Sequence, residues 1–163
     1  MQSATLRGRR GVDYRCAVPV RARGWRLVFD KPPLFPGGNA VANIVPDARA
    51  TALGVAFAIT PDDLAQVERT EGVSFDNYRR VEVEVEPLVE EHDGPTIAFS
   101  LCSERRNEAL LPSTRYMSIV IAGAVEQGLP EDHVAWLRGL PACEESPEMA
   151  ALRPALDAFF KRR

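Results

Sequence analysis

Cysteine and histidine are scarce in this sequence, with three Cys and two His among 163 residues. Cys16, Cys102 and Cys143 form no CxxC spacing, which argues against a disulfide framework and fits free thiols in a reducing cytoplasm. His92 lies in the turn-like run Glu90-Glu91-His92-Asp93-Gly94, and His133 follows Pro130. Both read as solvated side chains, and their isolation leaves no zinc site and no partner for a cysteine nucleophile. No apolar run approaches the ~20 residues of a membrane span. Met1–Arg10 lacks the apolar segment of a secretory signal, so a cytoplasmic, membrane-free protein is expected. GxSxG, a P-loop and a GxGxxG opening a helix after a strand are all missing, which removes the familiar hydrolase and nucleotide-binding motifs.

What is present is ordinary globular composition: 45% hydrophobic and 26% charged residues, in a length that suits a single domain over 1–163. Thirteen prolines and 11 glycines favour short elements joined by turns over a long-helix bundle. A net charge of −3 disfavours a general nucleic-acid binder. Residues 1–31 nevertheless carry Arg7, Arg9, Arg10, Arg15, Arg21, Arg23, Arg26 and Lys31 against only Asp13 and Asp30. A basic arm for RNA is one reading. The other is a solvated surface in a chain that prefers arginine throughout, and sparse aromatic interleaving supports it. An Arg-rich start also resembles an organelle transit peptide.

Residues 25–29 read as a strand, followed by a Pro/Gly loop through Gly38. Strands are expected over 40–45 and 52–59, separated by a turn at Pro46-Asp47-Ala48-Arg49. Thr60 caps a helix that begins at Pro61, with Asp63 three residues on, and Gly72 stops it after Glu71. The alternation Arg80-Val81-Glu82-Val83-Glu84-Val85-Glu86 is a strand with its valines on one face and its glutamates wet. A turn near His92-Asp93-Gly94 leads to an antiparallel partner over 96–102. Helices follow over 112–127, 130–140 and 147–160, the last divided at Pro154. Strands first and helices later predict an α+β fold with a mostly antiparallel, strongly curved sheet.

One residue breaks the local pattern. Leu64 and Val67 form the apolar stripe of the helix from Pro61, and Glu71 returns to within about 20° of Leu64. A carboxylate is thereby aimed at the core near a helix C-terminus, where desolvation and the helix dipole should raise its pKa. A general acid/base near neutral pH needs that property. The bland alternative is that the helix frays and Glu71 turns to solvent.

Several segments, in order and spacing, resemble the γ-glutamylcyclotransferase family. They are Glu71-Gly72-Val73 with Tyr78 seven residues after the Glu, Pro112-Ser113-Thr114-Arg115-Tyr116, and Gly123-Ala124-Val125-Glu126-Gln127-Gly128-Leu129-Pro130. Upstream lie Trp25-Arg26-Leu27-Val28-Phe29, Gly37-Gly38, Asn43-Ile44-Val45-Pro46 and Gly54-Val55-Ala56-Phe57. The likeness covers about residues 1–140, with 147–163 as a C-terminal helical extension. It implies a small, mixed, mostly antiparallel barrel-like β-sheet with flanking helices, and it places the Arg-rich start inside a domain, against a transit peptide. Family members begin with a strand ending in Tyr-Gly-Ser-Asn, a loop whose backbone holds the γ-glutamyl part of the substrate. This chain starts just after that point. The expectation is a start site placed too late, with genuine loss in a degenerate paralogue as the alternative; a lost strand would leave an exposed sheet edge. Cys102 stands where several members have a tyrosine; it either fills a small core space or marks altered specificity.

The resemblance implies a small-molecule γ-glutamyl amide substrate and no cofactor or metal. The substrate's α-amine attacks its own γ-carbonyl, releasing 5-oxoproline and a free amine or amino acid, an approach that is nearly unimolecular. In this reading Glu71 is the catalytic acid/base. Tyr78 and Tyr116 bind substrate or pack in the core with satisfied hydroxyls. The alternative is a catalytically impaired binding or structural module of the same fold.

Overall fold

The structure, a computed structural model, describes residues 3–34, 36–89 and 97–161. The turn expected near His92-Asp93-Gly94 lies outside them. A π-helical turn at Thr5–Arg9 precedes strands β1 (Ala17–Lys31) and β2 (Val41–Phe57), then helix α1 (Pro61–Glu71) and a 3₁₀ turn at Val73–Phe75. Strands β3 (Arg79–Glu84), β4 (Glu86–Pro87) and β5 (Ile97–Cys102) follow, then α2 (Thr114–Glu126), α3 (Glu131–Gly139) and α4 (Pro147–Lys161). All strand pairs are antiparallel, in the order β2-β1-β4 and, in a second sheet, β3-β5. The fold is α+β with a mostly antiparallel sheet and flanking helices; among the described residues the ladders do not close into a complete barrel.

β1 begins well before residue 25. Val18, Val20 and Ala22 alternate inward, while Arg21 and Arg23 turn outward to share Glu86. The inward set packs with Ala52 of β2 and with Val83 and Val85 into one core cluster. Each fully buried valine contributes about 1.5–3 kcal/mol relative to exposure.

β2 corrects the expectation of two strands. It runs unbroken from Val41 to Phe57, and Asp47–Ala50 bulge from the ladder where the pairing steps from Arg23↔Thr51 to Trp25↔Pro46. Gly24, at φ +77°, stands opposite the extra residues, a left-handed conformation that glycine adopts without Cβ strain. Asp47-Ala48-Arg49 of the stretch that reads as a turn are excess length in this bulge, while Pro46 stays in register opposite Trp25. A second irregularity lies between Val28 and Lys31, and there Ala42 has no partner in register.

α1 occupies its predicted span. Thr60 Oγ1 accepts from the Asp63 N–H at 3.1 Å and donates to Asp63 Oδ2 at 2.7 Å, and Gly72 closes the helix at φ +74°. Thr60→Ala should cost about 1 kcal/mol through the lost cap. The melting temperature should fall by ~2–4 °C, and an unchanged Tm would show that the cap contributes nothing.

α4 also differs from expectation, running through Pro154 without a break. Proline removes the bond to the carbonyl of Ala150, but both residues are exposed, so water can satisfy that carbonyl. No helix among the described residues is long and apolar enough to cross a membrane. Arg7, Arg10, Arg21, Arg23 and Arg26 of the basic first segment all pair with carboxylates of the chain itself.

Candidate active site

α1 delivers Glu71 at its last turn, with the side chain about one-fifth exposed. The Leu64/Val67 stripe is only half-buried, so the carboxylate lies at the edge of the core and not within it. A guanidinium meets it there: Arg10 Nη2 stands 2.5 Å from Glu71 Oε1, and Arg10 Nη1 donates to Thr70 Oγ1 at 3.0 Å. The expectation built on desolvation and the helix dipole alone omitted this positive partner.

Tyr78 and Tyr116 converge on one residue. At the irregularity in β2 the backbone of Ala42 is free of the ladder, and the Tyr78 hydroxyl donates to Ala42 O at 3.0 Å. The Ala42 N–H in turn donates to Tyr116 Oη at 3.1 Å. Tyr116 comes from the first turn of α2, where Ser113 Oγ caps the helix by accepting from the Tyr116 N–H at 3.1 Å. The two hydroxyls are therefore not equivalent. Tyr78 has committed its proton to a carbonyl, whereas Tyr116 accepts from Ala42 and keeps its own proton to donate. Burial raises both phenol pKa values, and the negative charge of Glu71 raises both further, with Arg10 opposing. Glu71, Tyr78 and Tyr116 thus share one electrostatic environment, and both phenols remain neutral donors at physiological pH.

A buried polar layer braces this corner. Asn43 and Ser103 exchange two hydrogen bonds of 2.8 and 2.9 Å between β2 and the end of β5, and Ser103 Oγ donates to Asn77 O at 2.8 Å. Asn77 Nδ2 donates to the carbonyl of Glu71 at 2.8 Å, and its Oδ1 accepts from Lys31 Nζ at 2.6 Å. Gly72 fits beside it because a Cβ there would lie 3.1 Å from Asn77 Cβ. Cys102 is buried, and burial raises its thiol pKa, so it occupies core space. His133 is half-buried against Trp136; it is partly shielded, where a solvated side chain was expected. Among the described residues no group of three or more His, Cys, Asp or Glu side chains gathers.

A family model described as the AIG2-like family matches residues 52–137, the stretch from β2 through α3. The chain belongs to the AIG2-like family. A solved gamma-glutamyl cyclotransferase superposes with a TM-score of 0.74 at 19% identity, covering 94% of this chain and 92% of that one. The human protein loc79017, described as uncharacterized, gives 0.70 at 21% identity, with 97% and 89% covered. YkqA from Bacillus subtilis gives 0.56 at 21% identity, covering 77% of this chain and 45% of that one. At these identities the likeness is one of fold, γ-glutamylcyclotransferase-like. A search of the curated proteins finds no match.

Within this AIG2-like chain, sequence reasoning missed Arg10, Lys31 and Asn77. Arg10 and Lys31 entered only as members of a basic segment, and Asn77 carries no motif. Lys31 is the unusual one, at 1% exposure. Burial pulls its pKa down to about 8, Arg105 pushes the same way, and Glu71 opposes. An unfolded lysine titrates near 10.5, so between pH 8 and 10.5 the unfolded chain holds the extra proton and rising pH favours the folded state. Wild type should gain roughly 2–3 kcal/mol over Lys31→Met in that window. Urea unfolding of both proteins at pH 7.5 and pH 10 measures this, and parallel responses would remove Lys31 as the titrating group.

Proposed function

We propose that this protein is a γ-glutamylcyclotransferase that converts a γ-glutamyl amide to 5-oxoproline and a free amine or amino acid. The observation that carries the reading is the carboxylate of Glu71, paired with Arg10 and electrostatically coupled to two tyrosines that meet at Ala42. Glu71 takes a proton from the substrate's α-ammonium. The freed amine nitrogen bonds to the γ-carbonyl carbon, and the resulting adduct gives up its second proton as the amide C–N bond breaks. The departing nitrogen collects both protons, one through Glu71, and leaves as the ammonium. Holding nucleophile and carbonyl in one molecule supplies most of the advantage.

Tyr116, with a proton to donate, fits substrate contact. Tyr78, already bonded to Ala42 O, fits the wall that fixes the β2 irregularity. The free state of Cys16, Cys102 and Cys143 suits a cytoplasmic setting.

The test is 5-oxoproline release from γ-glutamyl-alanine by wild type and Glu71→Gln, with loss in the variant expected. A second reading, a binding module that keeps the fold without turnover, draws on the same ion pair: Arg10 already engages the carboxylate that the substrate ammonium must reach. Turnover by the wild-type chain would end that reading, and its absence at high enzyme concentration would make it the better one.

A further inference from the structure

Two cations meet at Asn77, one of them against Tyr78, without a carboxylate between them. Lys31 Nζ, at the buried end of β1, donates to Asn77 Oδ1 at 2.6 Å and to Pro32 O at 2.8 Å. Arg105, exposed in the turn after β5, brings Nη1 to the same Asn77 oxygen at 3.0 Å. That oxygen is neutral and has two lone pairs, so it satisfies hydrogen bonds and neutralises nothing. Among the described residues neither cation forms an ion pair, whereas the neighbouring Arg106 takes Asp30 and Arg10 takes Glu71. A buried lysine facing an arginine is costly unless something anionic completes it. Lys31 Nζ also lies 4.5 Å from the centroid of the Tyr78 ring, and Asn77 Nδ2 reaches the Glu71 carbonyl. The positive pole is therefore contiguous with the candidate site, and its exposed member faces solvent.

We propose that Arg105, backed by the buried charge of Lys31, is a specificity-determining position that binds a carboxylate of the substrate. This rests on the γ-glutamyl reading above. A γ-glutamyl amino acid carries two carboxylates, one on the α-carbon beside the reacting amine and one on the departing residue. A γ-glutamyl alkylamine carries only the first. The α-carboxylate shares its carbon with the ammonium that Glu71 must meet, where Arg10 already lies. The departing carboxylate would then fall to Arg105.

The experiment compares wild type, Arg105→Gln and Arg105→Lys with γ-glutamyl-alanine and γ-glutamyl-ethylamine as substrates, with Lys31→Met as a further variant. Because Arg105 is exposed, its variants should fold even where Lys31→Met does not. Loss of one charge-assisted bond should raise KM about tenfold or more with kcat nearly unchanged, since the contact is uniform through the reaction. Arg105→Lys should recover part of it. An effect confined to γ-glutamyl-alanine assigns the departing carboxylate, and equal effects on both substrates assign the α-carboxylate. Unchanged KM for both overturns the proposal. Calorimetry of γ-glutamyl-alanine binding to Glu71→Gln, with and without Arg105→Gln, separates the two ideas. Absent turnover with a binding loss on Arg105→Gln fails the enzyme and keeps the carboxylate site. Equal affinities, or no binding at all, overturn the site.

Discussion

Replacing Glu71 by glutamine should lower 5-oxoproline release by about 10²–10⁴-fold, the usual contribution of a positioned general acid/base. The substitution is nearly isosteric, and the amide oxygen can still accept from Arg10, so the end of α1 keeps its shape. What disappears is a group able to take a proton and return it. The loss should therefore fall mainly on kcat, with a smaller rise in KM from the weaker attraction for the substrate ammonium. The melting temperature should stay near wild type, because the Thr60 cap, the Gly72 stop and the Asn77 bond to the Glu71 carbonyl are untouched. Glu71→Asp supplies the geometric control. It keeps the acid but retracts it by one methylene, so an intermediate rate is expected where positioning matters. Equal rates for wild type and Glu71→Gln would take Glu71 out of the mechanism.

α1 was legible in the sequence because each of its determinants is local: a capping threonine, a proline at the first position and a glycine after Glu71. The valine alternation of β3 was legible for the same reason, but the strand expected over 80–86 ends at Glu84, and Glu86–Pro87 pairs with β1 in the other sheet. The bulge in β2 was not. Asp47–Ala50 look like a turn in any one-dimensional reading, and only pairing with a strand more than twenty residues upstream turns them into surplus length opposite Gly24. The same limit applies to the site. Glu71, Tyr78 and Tyr116 could be named from spacing and family likeness, but the meeting of both hydroxyls at Ala42 depends on a second irregularity in that ladder. The Arg10–Glu71 pair joins residues 61 positions apart. Sequence could count the charge of the basic first segment but not its partners, and it is through those partners that the segment reaches the site.

Leu137→Ala should destabilise the domain by about 2–5 kcal/mol, the usual cost of deleting a fully buried leucine together with the cavity left behind. Leu137 is 2% exposed in a cluster with Met117, Ala124 and Val134, which locks α3 to α2. For a domain of this size the melting temperature should drop by roughly 5–15 °C, a large share of a typical 5–15 kcal/mol total. Tyr116 packs against the same cluster, as do Leu27 and Phe29 of β1. A cavity at Leu137 therefore loosens the base of the helix that presents the Tyr116 hydroxyl to Ala42. Below its own melting temperature the variant should show a raised KM with the Glu71 proton step intact, and adding Tyr116→Phe should cost less in this background than in wild type. Full additivity of the two changes would mean that the helix core and the hydroxyl are independent, and that Tyr116 is held in place by the Ser113 cap and Ala42 alone.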